Sequence, residues 1–283
     1  MKFSRADADV FTPGRTSPAQ ALKRTTHLCI AAHQDDIEIM AHAGIAACYD
    51  TPGRAFSGVV VTNGAGSPRQ GRHAEYTDAE LQAMRREEQR RAATIGRYAV
   101  QIQLGHPSAD LKDADHPGVR ADLAAILGAS TPEVIYLHNP ADKHDTHVAV
   151  LLRCLEAWRT LPRPRRPCQV LGCEVWRDLD WLVDSDKVAL DAGQHADLAK
   201  KLLETFESQI GGGKRYDRAT LGRRAAHATF HQARETDKLT AITWAMDLTP
   251  LFNDAQRSVL DFTLGHIEHL RADVAARLKQ LGG

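Results

Sequence analysis

Residues 27–38 read HLCIAAHQDDIE. The first six form a short apolar run bounded by polar residues, too short for a helix and suited to a buried strand. The run ends directly in His33, Asp35 and Asp36. Carboxylates crowded at a sheet end repel one another and resist ionisation unless a cation or hydrogen-bond donors offset the repulsion. His33 and Asp36 stand three apart across a strand-to-helix turn, so that one turn aims both at a single ion with Asp35 beside it.

Working outward, the same alternation continues. Strands are expected at 57–64 (SGVVVTNG), 101–105 (QIQLG), 134–139 (VIYLHN) and 170–176 (VLGCEVW), each rich in β-branched or apolar residues. Helices are expected at 38–49, at 77–96 with Thr77 and Glu80 as a capping box, at 118–129 and at 144–158. Beyond residue 190 the character is helical, with segments at 194–210, 216–235 and 254–280 separated by the Gly211–Gly213 break. Residues 1–25, rich in Pro, Ser, Thr and Arg, read as a surface arm. The expectation is a single α/β domain over 1–283, a Rossmann-like three-layer sandwich with a mainly parallel sheet and a helical C-terminal part over 190–283. In such sheets ligands bind at the carboxyl ends of the strands.

A second strand end carries chemistry. Residues 138–147 read HNPADKHDTH. His144 and His147 are at i and i+3, on one face of the helix that begins there. If the strands at 27–32 and 134–139 are neighbours, His, Asp and His converge on one cleft. Three mixed nitrogen and oxygen ligands with an open fourth position suit a catalytic zinc rather than a structural one.

These residues resemble the LmbE/PIG-L family of metal-dependent de-N-acetylases. AHQDDIE is similar to that family's AHPDD signature, and NPADKHDTH to its NPxDxHPDH segment. VVVTNGAG and the MRREEQRRAA helix also resemble its Thr-x-Gly strand end and its Arg-x-x-Glu helix. The likeness spans roughly residues 25–155. It implies His33, Asp36 and His147 as Zn2+ ligands, with Fe2+, Co2+ or Mn2+ as other divalent options. It implies Asp35 as the general base on water and His144 as the group that steadies the oxyanion or protonates the leaving amine. Asp142, Asp145, Asn63 and Arg85 are candidates for contacts to substrate or to the ligands. Gln34 stands where the family has proline, which should loosen the turn. Thr146 stands where it has aspartate, so Asp142 or Asp145 is expected to orient His144.

Other residues have plainer readings. His42, His73, His106, His116 and His138 read as surface or satisfied core histidines, His138 being the strongest exception because it abuts the second cluster. The charged run from Arg85 to Arg91 reads as a solvated helix face laced with ion pairs. GAGSPRQG (64–71) is neither a dinucleotide fingerprint nor a Walker loop and reads as the rim of a site. Arg163, Arg165 and Arg166 read as an exposed loop. Trp176 and Trp181 are a candidate sugar wall, with core packing expected for at least one, and Cys173 is expected to be a small buried residue.

The chain has 283 residues, 43% of them apolar and 25% charged, with 36 basic residues against 36 acidic. That composition suits a globular protein, and the even balance argues against a nucleic-acid partner. No apolar run reaches the length of a membrane span. Five dispersed cysteines without a CxxC pair point to a reducing cytoplasm. The implied activity is hydrolysis of the N-acetyl group of an N-acetylglucosamine-type sugar or glycoconjugate. The rivals are an amidase acting on a thiol conjugate and a metal- or sugar-binding module without turnover. A homo-oligomer is in keeping with the resemblance, though no residue sets its number.

Overall fold

A computed structural model describes residues 1–162 and 169–283; the loop arginines Arg163, Arg165 and Arg166 lie outside the described residues. The elements are β1 (Asp9–Phe11), α1 (Pro18–Lys23), β2 (His27–Ala31), α2 (Asp36–Met40), α3 (His42–Cys48), β3 (Phe56–Thr62), α4 (Asp78–Ile95), β4 (Val100–His106), α5 (Ser108–Lys112) and α6 (Pro117–Ala129). The chain continues through β5 (Val134–His138), α7 (Asp145–Arg159), β6 (Gln169–Cys173), β7 (Val188–Asp191), α8 (Ala196–Glu204), α9 (Glu207–Ile210) and α10 (Tyr216–Phe230). It ends with β8 (Ile242–Asp247), α11 (Thr249–Asn253) and α12 (Val259–Gln280). All eight strands form one sheet in the order β1-β4-β3-β2-β5-β6-β8-β7. The five central strands, β4 to β6 in that order, run parallel, and β1, β8 and β7 pair antiparallel.

Both faces of the parallel strands are largely apolar, and their side chains divide by the period of two that a strand imposes. Leu28 and Ile30 of β2, Val59 and Val61 of β3, and Ile135 and Leu137 of β5 enter one core with Leu123, Val150 and Leu151 from α6 and α7. Cys29 and Ala31, Phe56 and Val60, and Tyr136 enter the other, with Ile37, Met40, Ala92 and Leu202 from α2, α4 and α8. This is the expected three-layer α/β sandwich. Cys173 is fully buried in the second core, as a small apolar side chain. The Thr77–Glu80 capping box starts α4: Glu80 donates its N–H to Thr77 Oγ1 (3.2 Å), and Thr77 returns its own N–H to the Glu80 carboxylate (2.9 Å).

The two ends of the chain depart from expectation. Residues 1–25 are not merely a surface arm. Asp9–Phe11 adds an antiparallel strand to β4, so that β4 is no longer the edge of the sheet, and Asp9 is clamped by Arg90 of α4. Ser4 donates its backbone N–H to Asp122 (2.8 Å), and Phe3, Ala21 and Leu22 are buried. The C-terminal part is not wholly helical either, because it supplies β7 and β8. Ile242, Thr243 and Trp244 carry the β-branched and aromatic character that favours a strand, and the sheet buries all three. The helix expected over 38–49 breaks at Ala41 into α2 and α3. Among the described residues no helix is long and apolar enough to cross a membrane.

His42 of α3 is fully buried, its Nε2 donating to the carbonyl of Gln194 at 3.0 Å. Burial, with Arg224 nearby, pushes its pKa down to about 4. An unfolded histidine titrates near 6.5, so this stabilising preference for the neutral ring is whole above that pH. It is lost as pH falls through the folded value. We expect His42 to account for about 3 kcal/mol of acid destabilisation between pH 6.5 and 4. Urea unfolding of His42→Gln, which keeps a donor for Gln194, should show a correspondingly flatter pH dependence than the parent chain. Parallel dependences in the two proteins would remove His42 from the account.

Candidate metal centre

From β2 the chain winds outward through β3 to β4, then crosses back to β5 on the other side of β2 and continues to β6. The direction of winding therefore reverses between β2 and β5, which pair directly through His27–Val134, Leu28–Ile135 and Cys29–Tyr136. A crevice opens at the carboxyl ends of two strands whose helices depart in opposite directions. Both sequence clusters emerge there.

The turn after β2 is tight. Asp35 has φ of 93°, a region that few residues other than glycine enter, and so carries local strain. That conformation turns Asp36 back, so that its Oδ2 accepts the His33 backbone N–H at 2.8 Å and lies 3.2 Å from His33 Nδ1. Gln34 does not loosen the turn. Its amide donates to Gln103 Oε1 (3.1 Å), and its carbonyl accepts from Arg85 Nη2 (2.8 Å). Gly64 has φ of +73° and faces Gln34 so closely that a Cβ there would overlap the Gln34 amide oxygen.

His147, in the first turn of α7, completes a triangle. Its Nε2 lies 3.2 Å from His33 Nδ1 and 3.3 Å from Asp36 Oδ2. Ligands held about 2.0–2.1 Å from a tetrahedral ion stand roughly 3.3–3.4 Å apart. The three donor atoms fit that figure, and two imidazoles with one carboxylate make a suitable set for zinc and its neighbours. His147 Nδ1 faces Asp142 Oδ2 at 3.2 Å, the carboxylate contact that fixes a ligating ring's tautomer.

Two further histidines stack on His147. His138, at the end of β5, lies face to face with it at 3.9 Å between ring centroids. His138 also sits 3.6 Å from Asp36 Oδ2, but its Nε2 already accepts the Ala32 backbone N–H at 2.9 Å. That lone pair serves to join the ends of β2 and β5 and is not free for an ion, although His138 and His144 both stand within reach of the same candidate donor atoms. His138 is the exception among the histidines read as surface or core residues, a fully buried strut that ties the two strand ends together. His144 stacks on the other face of His147 at 4.6 Å and lines the cleft, its buried Nδ1 having no hydrogen-bond partner among the described residues. Asp142 accepts the His144 backbone N–H (3.0 Å), yet neither Asp142 nor the exposed Asp145 bonds the His144 ring. The expected orienting carboxylate acts on His147 instead.

The electrostatics follow from burial. Burial opposes ionisation of Asp36, but the His147 charge and hydrogen bonds from His147 and His33 outweigh it and hold its pKa well below the usual carboxylate range. Asp35 goes the other way. Burial and its two carboxylate neighbours push its pKa well up, against the Arg85 guanidinium 3.9 Å away. Burial lowers the pKa of His147, yet Asp36 and Asp142 raise it on balance to about 9. Burial and the charges of His147 and His33 push the pKa of His144 down to about 4.

Arg85 corrects the reading of α4 as a solvated face. It is 3% exposed and donates to the carbonyls of Gln34 and Gly64 and to Ser67 Oγ, holding the rim loop. Gln89 donates to Glu38 (2.9 Å) and accepts from the Asp35 backbone (3.3 Å), while Glu88 accepts from Ser208 (2.7 Å). Only Glu87 and Arg90 form the kind of exposed pair expected. Asn63 does not line the cleft; its side chain closes the turn by accepting the Ala65 N–H (3.2 Å).

The cleft has a volume of about 490 Å³ and runs from the metal centre to the 64–68 rim and across to α10. Trp176 and Tyr216 form an edge-to-face pair at 6.1 Å on its wall. Tyr216, Thr220 and Arg223 of α10 were not legible as site residues, since they lie some seventy positions beyond the second motif. Trp181 packs against the first core instead, so the two tryptophans divide between wall and core.

Residues 28–158 match the family model described as GlcNAc-PI de-N-acetylase (PIG-L). No curated protein sequence matches the chain. Among solved structures, GalB, the 4-carboxy-2-hydroxymuconate hydratase of Pseudomonas putida KT2440, is similar at 19% identity and TM-score 0.60, over 79% of this chain and 95% of its own. The N,N'-diacetylchitobiose deacetylase of Pyrococcus horikoshii is similar at 17% identity and TM-score 0.58, over 82% and 86%. A zinc-inhibited form of the teicoplanin deacetylase Orf2 is similar at 14% identity and TM-score 0.53, over 78% and 97%. At these identities the likenesses speak to the fold, and they extend it well past the two motifs. The resemblance carried by AHQDDIE and NPADKHDTH therefore holds over residues 28–158, the stretch that matches the PIG-L (LmbE) family model.

Proposed function

We propose that the protein is a metal-dependent N-deacetylase that hydrolyses the N-acetyl group of an amino-sugar or glycoconjugate. The observation that carries this reading is the triangle of His33 Nδ1, Asp36 Oδ2 and His147 Nε2 at 3.2–3.3 Å, with the Asp35 carboxyl beside it in an open cleft. A divalent ion held there, zinc first, would polarise the amide carbonyl and make water a better nucleophile. Asp35 takes a proton from the attacking water and delivers it to the amide nitrogen as the C–N bond breaks, leaving acetate and a free amine. Burial makes that carboxyl a stronger base than an exposed one. His144, on the cleft wall beside the triangle, supplies a hydrogen bond to the carbonyl oxygen as charge develops on it. Asp142 keeps His147 in register, and Trp176 with Tyr216 offers a flat aromatic surface to a sugar ring.

Lys112, Lys143 and Arg223 also line the cleft, against Asp35 and Asp36 as its only carboxylates among the described residues. This favours an N-acetylated substrate that bears an anionic group on the side away from the amide. A second reading, addition of water to the double bond of an anionic substrate, is favoured by the same cations and by the fold shared with a hydratase. An amine assay separates the two, since hydration releases none.

Free-amine release from a panel of N-acetylglucosamine derivatives tests the main reading. His147→Ala should lose both bound metal and release. Asp35→Asn should keep its metal and lose roughly 10²- to 10⁴-fold in kcat, whereas a module that only binds metal or sugar would be indifferent to it. Absence of amine from every derivative at full metal loading would end the deacetylase reading. Asp142→Ala should weaken metal affinity by roughly 10- to 100-fold, measured by competition with a chelator; unchanged affinity would show that His147 needs no such support. The double variant Lys112→Ala/Lys143→Ala should raise KM for a phosphorylated sugar roughly three- to tenfold at low salt and leave a neutral sugar unaffected. Equal effects on both sugars would disconnect these lysines from substrate charge.

A further inference from the structure

The last helix, α12, turns two different faces to its surroundings. Val259 and Phe262 pack against the first core, and Asp186 accepts from His266 Nδ1 (2.9 Å) and His269 Nδ1 (2.7 Å), so this inner face is fastened to the body. From Arg271 to the end of the chain every residue is exposed. The outer face carries Leu260, Leu264, Ile267, Val274, Leu278 and Leu281, between 45% and 80% exposed. With Arg271 filling the one gap, their spacings run four, three, four, three, four, three. That is a heptad repeat held for three turns of the pattern, with d positions at 260, 267, 274 and 281 and a positions at 264, 271 and 278. A stripe of period 3.5 follows the seam of a second helix rather than a sheet or a flat surface. A helix of this length, about 33 Å, is stable in water chiefly when such a face is covered.

We infer that the outer face of α12 pairs with α12 of a second copy of this chain as an antiparallel two-helix seam. Charge selects this occupant and this direction. Residues 259–269 carry Asp261 and Glu268 with no lysine or arginine, whereas residues 270–280 carry Arg271, Arg277 and Lys279 against Asp273. Antiparallel pairing sets the acidic half of each helix beside the basic half of the other; parallel pairing sets like beside like. Pairing a with d positions gives the layers Leu260 with Leu278, Leu264 with Val274 and Ile267 with Arg271, each occurring twice about a two-fold axis near residue 269. Arg271, the single charge in the stripe, is paired with Glu268 of its own helix, and about the two-fold axis that pair lies beside its symmetry copy, within reach of Glu268 of the other chain. A polar residue at one a position sets register in this way, at some cost in stability.

Sedimentation equilibrium of the full chain should give a mass twice that of the monomer at micromolar concentration. Leu264→Ala/Leu278→Ala, which keeps helix propensity, should weaken association at least roughly 100-fold with an unchanged helical circular dichroism signal. Glu268→Arg should weaken it as well, and Glu268→Arg/Arg271→Glu should restore it. A monomer at every concentration overturns the inference, as does a dimer indifferent to these substitutions. Mixed Leu260→Cys and Leu278→Cys proteins should cross-link to each other on oxidation. Cross-linking of like with like would overturn the antiparallel arrangement.

Discussion

Asp36 is a carboxylate almost wholly removed from water, at the start of α2 beside the end of a largely apolar sheet. Burying such a charge alone would cost several kcal/mol, and the surrounding structure supplies the offset. His33 gives a backbone N–H and a ring nitrogen, and His147 gives a second ring from a helix more than a hundred residues away. Each of these groups has its own condition. The His33 N–H reaches Asp36 only because Asp35 takes a left-handed backbone, and His147 arrives only because β5 lies directly beside β2. The His138–Ala32 hydrogen bond closes the same gap between the strand ends. Position of the loops, order of the strands and orientation of the ligands thus answer to one desolvated oxygen.

The parts legible in the sequence were those governed by local pattern. β2 to β6, the capping box at Thr77 and the two His/Asp clusters are short-range signals, and the crevice between β2 and β5 follows from them by the ordinary rules of parallel sheets. Arg85 is a candidate contact in the sequence and does line the cleft, but its helix reads as solvated because it is rich in Arg and Glu. Nothing local reveals that Gln34 and Gly64 present carbonyls to it. β1 and the antiparallel pair β7–β8 were missed for a related reason: β1 and β7 are short edge strands, β8 lies between β6 and β7, and each depends on a partner far away in the chain.

His138 and Asp142 show the same limit inside the centre. Both were visible as polar residues near a motif, but their tasks depend on which lone pair meets which donor. His138 uses Nε2 to bind Ala32 and so leaves the ligand set, while Asp142 orients His147 rather than His144. Residue type and spacing select the candidates; hydrogen-bond direction assigns the work.

The cleft is built from two separate lengths of chain. The groups proposed to act on an amide lie between His33 and His147, whereas Trp176, Tyr216, Thr220 and Arg223 on the facing wall come after the family match has ended at residue 158. The wall reaches the reactive side by packing, not by sharing its loops. On the proposed function, selectivity would therefore drift or be re-engineered by exchanging α10 and the segment after β6, while the half that holds His33, Asp36 and His147 is left as it stands. A deacetylase of the proposed kind would thus divide the labour of choosing a molecule and transforming it between two stretches that can change at different speeds.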